Sequence, residues 1–343
     1  MTRMRSETLE MIEVAARQLR ENTSILHTLK QHLTDTPPDA VVTVARGSSD
    51  HASIFARYLF ETEFGLVTSS AAPSVYTLYH ARMQLQRCFM IALSQSGQSP
   101  DLCEVMRVAK EQNALSIALV NETDSPLAKL AQITLPLRAG PEKAVAATKS
   151  YMAMLFALLH MTAILKDNTA LQTDLENLPN LLSQLTELDF NQLLLPFLDA
   201  RTALVIGRGF GFAIAEEIAL KFKEVTQTHA EAFSSAEVLH GPFSLFSESF
   251  PVVIFLQNDA SLTSLHQLLD KIKATPAKPL LLGDAAVLKG YTDLPHILLP
   301  ETNPLITPIL AAFVMYQFLE QLALKLGLDP DSPPLIQKVT RTL

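Results

Sequence analysis

The strongest constraint on this chain is an internal repeat. Residues 41–47 (Val-Val-Thr-Val-Ala-Arg-Gly) are echoed by residues 203–209 (Ala-Leu-Val-Ile-Gly-Arg-Gly), which puts Arg208 162 positions after Arg46 (208 − 46). Residues 89–95 map at the same offset onto 251–257, and residues 116–120 onto 278–282. A fourth pair, 133–137 against 296–300, keeps the order with its prolines 164 apart (300 − 136), as a small insertion would produce. Each copy is a short apolar run closed by turn residues and followed by helix-like sequence. That is the pattern of parallel strands buried on both faces and joined by right-handed crossovers. The expected fold is α/β, two tandem domains related by duplication.

The expected organisation is an N-terminal helix plus first domain over 1–166, linking helices over 167–199, a second domain over 200–326, and a tail over 327–343. Pro330, Pro333 and Pro334 keep that tail extended. A chain of 343 residues, 48% of them hydrophobic, can fill two cores. Its net charge of −8 offers no basic footprint to nucleic acid or an anionic membrane, so any phosphate must be bound locally. Cys88 and Cys103 fit neither a disulfide framework nor a metal site, and a reducing, cytoplasmic location is expected. The amino terminus is charged rather than signal-like. The apolar run 151–165 contains His160 and is shorter than the roughly 20 residues of a membrane span, so it reads as a buried helix.

Ligands of an open parallel sheet bind beyond the carboxyl ends of its strands, where helix N-termini present free amides. Two turns of the first half suit a phosphate there: Gly47-Ser48-Ser49-Asp50-His51 and Ser94-Gln95-Ser96-Gly97-Gln98-Ser99. Either alone would pass for an ordinary cap, but two at equivalent topological positions make a cradle. The second half's counterpart, Leu256-Gln257-Asn258-Asp259, lacks the hydroxyls and carries a repelling carboxylate. Phe212 occupies the third glycine position of a dinucleotide fingerprint, which argues against a nicotinamide enzyme, and no nucleoside-triphosphate loop is present.

In the second half, Glu217, Lys221 and Glu224 fall at i, i+4 and i+7 of a helical stretch and share one face, either as a solvated salt-bridged stripe or as a site. Beyond them, His229, Glu231, Glu237 and His240 fall within a short span. His240 precedes Gly241-Pro242, in a turn that can present its ring as a proton shuttle.

Together these pieces resemble the sugar isomerase (SIS) family, and in particular the isomerase part of glucosamine-6-phosphate synthases. The matching motifs run from Gly47 to Ala52, Ser94 to Ser99, Leu220 to Glu224, His229 to Ala232 and His240 to Pro242. The resemblance implies tandem five-stranded parallel domains, a homodimer with a site shared between subunits, and a 6-phosphosugar substrate. It implies phosphate held by Ser48, Ser49, Ser94, Gln95, Ser96 and Ser99. Glu224 would move a proton between C1 and C2, His240 would assist ring opening, and Glu217 and Lys221 would organise the site. Residues 142–149 resemble the substrate loop, which assigns Val145, Ala146, Thr148 and Lys149 to it, with Ala147 where the family has serine. Lys338 resembles the terminal lysine once a one-residue gap is allowed; without the gap Gln337 stands there. No metal or other cofactor is expected, because such a proton transfer needs only a shielded carboxylate.

The synthase's glutaminase domain, with its nucleophilic cysteine, is not expected to accompany this chain, whose Met1 is followed by Thr2. The expected reaction is therefore the isomerising deamination of glucosamine 6-phosphate to fructose 6-phosphate and ammonia. Alternatives in the same class are a fructosamine-6-phosphate deglycase, a galactosamine-6-phosphate deaminase or a plain aldose–ketose isomerase. A non-catalytic sugar-phosphate sensor is the alternative from another class.

Overall fold

The computed structural model describes residues 1–338. The chain forms two compact units that cut across the sequence halves. A first-sheet unit holds residues 10–142 and 149–176 with Gln337 and Lys338, and a second-sheet unit holds residues 1–9, 143–148 and 177–336. These units divide the chain at other places than the boundaries expected at 166 and 326. The N-terminal helix α1 (Arg3–Leu9) and loop 143–148 belong with the second sheet because buried Glu7 accepts the loop's amides and Asp331 accepts those of α1. The end of the expected tail, residues 339–343, lies outside the described residues.

In the first-sheet unit, α2 (Met11–Asp35) leads into β1 (Ala40–Val44), α3 (Ser48–Phe64), β2 (Thr68–Ser70), α4 (Pro73–Thr77), β3 (Cys88–Ser94), α5 (Pro100–Glu111), β4 (Leu115–Val120), α6 (Pro126–Leu130), β5 (Ile133–Pro136) and α7 (Lys149–Leu165). The five strands are all parallel, in the order β2-β1-β3-β4-β5. Val44, Met90 and Ala92 of the sheet pack under Leu102, Val105 and Met106 of α5. Helices α2 and α3 both pack on α7, whose residues are buried from Lys149 to Ile164, as expected for the apolar run.

The remaining elements are α8 (Thr169–Ser183), inside which the two units divide, then α9 (Leu195–Leu198), β6 (Thr202–Gly207), α10 (Phe210–Thr226), β7 (His229–Ser234), α11 (Ser235–Val238), a 3-10 turn at Pro242–Ser247, β8 (Pro251–Phe255), α12 (Leu262–Ile272), β9 (Lys278–Gly283), β10 (His296–Leu298) and α13 (Thr307–Lys325). The order β7-β6-β8-β9-β10, all parallel, repeats that of the first sheet. By length and composition α13 could cross a membrane, but 89% of its apolar window is buried and it packs on α10 as a core helix.

Strand register corrects the repeat by one residue. Val41 pairs with Thr68 and Ala203 with Ala230, so both members keep the 162 offset. Phe89 pairs with Leu115 and Pro251 with Lys278, so the equivalent of Lys278 is Leu115 (278 − 115 = 163), not Ser116. Leu119 pairs with Leu135 and its equivalent Leu282 with Ile297, so the offset returns to 162 (297 − 135) rather than growing to 164. Such a slip matters because it exchanges the two faces of a strand. The repeat also missed β2 and β7. These are edge strands, one short and one polar at His229 and Glu231, without an apolar run to align.

Candidate active site

The two serine turns lie at the carboxyl ends of β1 and β3. Gly47 takes the N-cap position of α3 with φ 56°, a left-handed angle that glycine adopts without strain, and its carbonyl accepts Asp50 N at 2.8 Å. Ser48 and Ser49 open the helix and are half-buried. In the second turn, Ser94 Oγ accepts Gly97 N at 3.0 Å and Ser96 Oγ accepts Gln98 N at 3.3 Å, while the Gln95 carbonyl accepts Asn121 N. Gly97, at φ 60°, admits no side chain, since a Cβ would lie 2.1 Å from Ser125 Oγ. Ser99 caps α5 by backbone geometry alone, its hydroxyl making no cap bond.

One tie between the turns escaped the sequence. Arg46 Nε and a terminal guanidinium nitrogen both donate to Asp101 Oδ2 at 2.9 Å, and the Asp101 carboxylate is fully buried. This pair joins the end of β1 to the start of α5. The available signal was an aspartate in the first turn of a helix. Burial pushes the Asp50 carboxyl up, against the pull of His51 and Arg46.

In the second-sheet unit, the stripe on α10 is buried, which removes the solvated-face reading. Lys221 and Glu217 are fully buried, and only Glu224 reaches solvent, with its side chain 23% exposed. Lys221 Nζ lies 2.5 Å from Glu224 Oε2 and 3.3 Å from Glu217 Oε1, and Tyr316 of α13 donates to Glu217 Oε1 at 2.8 Å. Burial disfavours the Lys221 ammonium, but Glu217 and Glu224 outweigh it and hold the group above its ordinary pKa. Glu224 is thus a carboxylate aimed by a buried cation, the arrangement a positioned base needs. His240 is exposed in the turn after α11, ahead of Gly241 at φ 149°. His229 and Glu231 are exposed on edge strand β7 and lie outside the α10 cluster.

The loop residues divide between the units. Val145, Ala146 and Thr148 lie in the second-sheet unit, with Val145 N donating to the Asp331 carbonyl at 3.2 Å. Lys149, in the first-sheet unit, is fully buried. Its ammonium donates to Glu10 Oε2 at 2.5 Å and the Pro141 carbonyl at 2.7 Å, both in the same unit. Lys338 donates to Glu142 Oε2 at 2.6 Å. Glu142 is itself buried and accepts Ser150 N and Oγ at 2.9 and 2.8 Å. Burial would raise the Glu142 carboxyl, but Lys338 and Ser150 together hold it below its usual range. Among the described residues no cluster of His, Cys, Asp and Glu could hold a metal ion.

The SIS domain model matches two segments, residues 36–164 and 197–323. A glutamine–fructose-6-phosphate aminotransferase (isomerizing) of Thermus thermophilus is 30% identical over 314 residues, covering 88% of this chain and 52% of its own length. The chain therefore spans about half the length of the curated relatives it matches. Among solved structures, a candidate phosphosugar isomerase of Silicibacter pomeroyi superposes with a TM-score of 0.89 at 36% identity, covering 96% of this chain and 100% of that one. The glucosamine-6-phosphate deaminase of Thermotoga maritima shares the fold, with a TM-score of 0.73 at 20% identity over 97% and 100% of the two chains. Two matched segments that coincide with two parallel five-stranded sheets identify the chain as a member of the SIS domain family.

Proposed function

We propose that this protein is a phosphosugar isomerase of the deaminase type, converting glucosamine 6-phosphate to fructose 6-phosphate and ammonia. The observation that carries the reading is the buried Glu217–Lys221–Tyr316 cluster, which presents Glu224 alone to solvent. Burying charges costs several kcal/mol per ion unless they are paired, and a structural helix could bury leucines instead.

In this reading the serine turns of the first-sheet unit take the phosphate through Ser48, Ser49, Ser94, Gln95, Ser96 and Ser99. The active site is shared between subunits of a homodimer. His240 assists ring opening. Glu224 removes the C2 proton of the open-chain amino sugar and returns a proton to C1 through an enolamine. The C2 imine so formed takes up water, releasing ammonia and leaving the ketose. Lys338 supplies positive charge, and Val145, Ala146 and Thr148 line the sugar. The similarity to aminotransferases called isomerizing supports the C1–C2 step, and a glucosamine-6-phosphate deaminase shares the fold.

The test is ammonia release from glucosamine 6-phosphate coupled to detection of fructose 6-phosphate, with galactosamine and fructosamine 6-phosphates alongside. Equal formation of both products from glucosamine 6-phosphate is expected. Turnover of the fructosamine phosphate alone would assign a deglycase instead, and binding without turnover of any of them would assign a sensor.

A further inference from the structure

The loop between β5 and α7 has aliphatic side chains at Ala144, Val145, Ala146 and Ala147. Whatever those four positions recognise, they must recognise with backbone amides and carbonyls. Three of the loop's amides are already committed. Lys143 N and Ala144 N donate to the Glu7 carboxylate at 2.5 and 3.2 Å, and Val145 N donates to the Asp331 carbonyl. Among the described residues, the amides of Ala146 and Ala147 donate to nothing in the protein. Glu7 is 5% exposed, on α1, and the N-terminus of that helix is held in turn by Asp331, whose carboxylate oxygens accept Arg3 N and Met4 N at 2.8 and 2.7 Å. The first helix and the chain beyond α13 thus close on one short loop.

We infer that Glu7 is a positioning residue, whose buried carboxylate fixes the backbone of residues 143–147 so that the amide of part-exposed Ala147 stays available to an oxygen of the sugar, while Ala146 is buried. The inference rests on the proposed reading that this loop meets the substrate. A carboxylate that binds two successive amides sets both the position and the twist of the peptide units that follow, and charge-assisted bonds do so more firmly than neutral ones. Glu7 touches no reacting atom in this scheme. It acts through the loop, and a displacement of the loop by about 1 Å can cost on the order of 100-fold in rate.

The experiment compares Glu7→Gln and Glu7→Ala with the wild type in three measurements. These are steady-state kinetics on glucosamine 6-phosphate, inhibition by inorganic phosphate, and amide hydrogen exchange over residues 143–148 with and without the sugar phosphate. The expected result is a KM raised about 10- to 100-fold in Glu7→Ala. Glu7→Gln, which keeps one acceptor oxygen, should fall between Glu7→Ala and the wild type. The phosphate inhibition constant should stay within about twofold in both variants, because the serine turns do not depend on this loop. Sugar-dependent protection of 143–148 should be present in the wild type and lost in Glu7→Ala. A KM unchanged in both variants, or phosphate affinity falling in parallel with KM, would overturn the inference. Absence of sugar-dependent protection in the wild type would overturn it as well. Lack of wild-type turnover on any phosphosugar would count against the proposed reaction alone, since the exchange measurement still tests the loop.

Discussion

The two sheets are built to one plan and differ where chemistry is at stake. Gly47 and Gly209 open equivalent helices with nearly the same backbone, φ 56° and ψ −134° against φ 59° and ψ −131°. Both follow an arginine, but Asp101, which binds Arg46, is replaced at the same offset by Thr263 (263 − 101 = 162). Ser94 gives way to Leu256 and Gly97 to Asp259, whose carboxylate ties its own turn shut by accepting Ser261 N and Oγ. The reverse exchange occurs on the helices. Phe55 and Leu59, fully buried on α3, stand 162 positions before Glu217 and Lys221, which are equally buried on α10. One copy pairs its serine turns with apolar residues on α3, and the other pairs charged residues on α10 with a closed turn. The duplication therefore supplies its own control: the apolar solution at those two positions is known to fold on this scaffold.

The largest effect should come from Glu224, whose counterpart on α3 is Thr62. Glu224→Gln keeps the shape and the contact with Lys221 but removes the base. Turnover should fall about 1,000-fold, the middle of the range for a lost general base, with inorganic phosphate binding unchanged. A drop below about tenfold would mean that α10 is charged for another reason.

Next is the buried pair itself. Lys221→Met strips Glu217 of its cation and should cost about 3 kcal/mol of stability by denaturant unfolding, because it leaves a buried charge uncompensated. Installing the α3 solution on α10, as Glu217→Phe with Lys221→Leu, should restore most of that stability while leaving the protein without turnover. If the double variant is as unstable as the single one, the two copies are less interchangeable than their registers suggest.

The serine turns offer a smaller, cleaner contrast. Ser99 and Ser261 are equivalent N-caps (261 − 99 = 162) and neither hydroxyl makes a cap bond, but the Ser261 hydroxyl donates to Asp259 at 2.5 Å. Ser99→Ala should weaken binding of inorganic phosphate about tenfold with little change in stability, as for one lost bond to a charged group. Ser261→Ala should do the opposite, costing about 1 kcal/mol of stability and leaving phosphate binding intact. Calorimetric titration and thermal unfolding of the two variants decide the matter.

This contrast also explains what the sequence could reveal. Strands β1, β3, β6 and β8 were legible because burial on both faces leaves an uninterrupted apolar run, and an apolar run aligns with its copy. Strands β2 and β7 were not, because an edge strand needs no such run. The serine turns and the α10 stripe were legible as spacings. The burial of Lys221 and Lys149 was not, since a lysine in sequence reads as exposed until the carboxylates that satisfy it are placed in space. Glu10 reaches Lys149 across 139 positions, Arg46 reaches Asp101 across 55, and Glu7 reaches Lys143 across 136. No local pattern encodes such pairs. They decide which charged residues hold the framework and which remain open to a ligand.

The last contrast is between the two apolar helices. On α13 the buried polar groups are engaged at least in part, Tyr316 with Glu217 and Gln317 with the Phe313 carbonyl. On α7, His160 is 3% exposed, has Thr23 Oγ1 at 3.4 Å from Nε2, and finds no partner for Nδ1 among the described residues. Burial, with a smaller push from His27, lowers its pKa to about 4. The folded protein thus holds the ring neutral, while the unfolded chain protonates it below about 6.5. Stability contributed by the neutral ring is full above that value and drains away as pH falls toward 4, because the unfolded state then binds the extra proton. Between pH 7 and 5 the loss should be about 1 to 2 kcal/mol. Replacing His160 by leucine, which makes α7 as apolar as its surroundings, should flatten that part of the stability profile in urea unfolding at fixed pH. A profile equally steep in the variant would place the acid sensitivity elsewhere, and not at Glu142, whose depressed carboxyl keeps its contribution between pH 7 and 5 and loses it only as acid protonates it below its ordinary range.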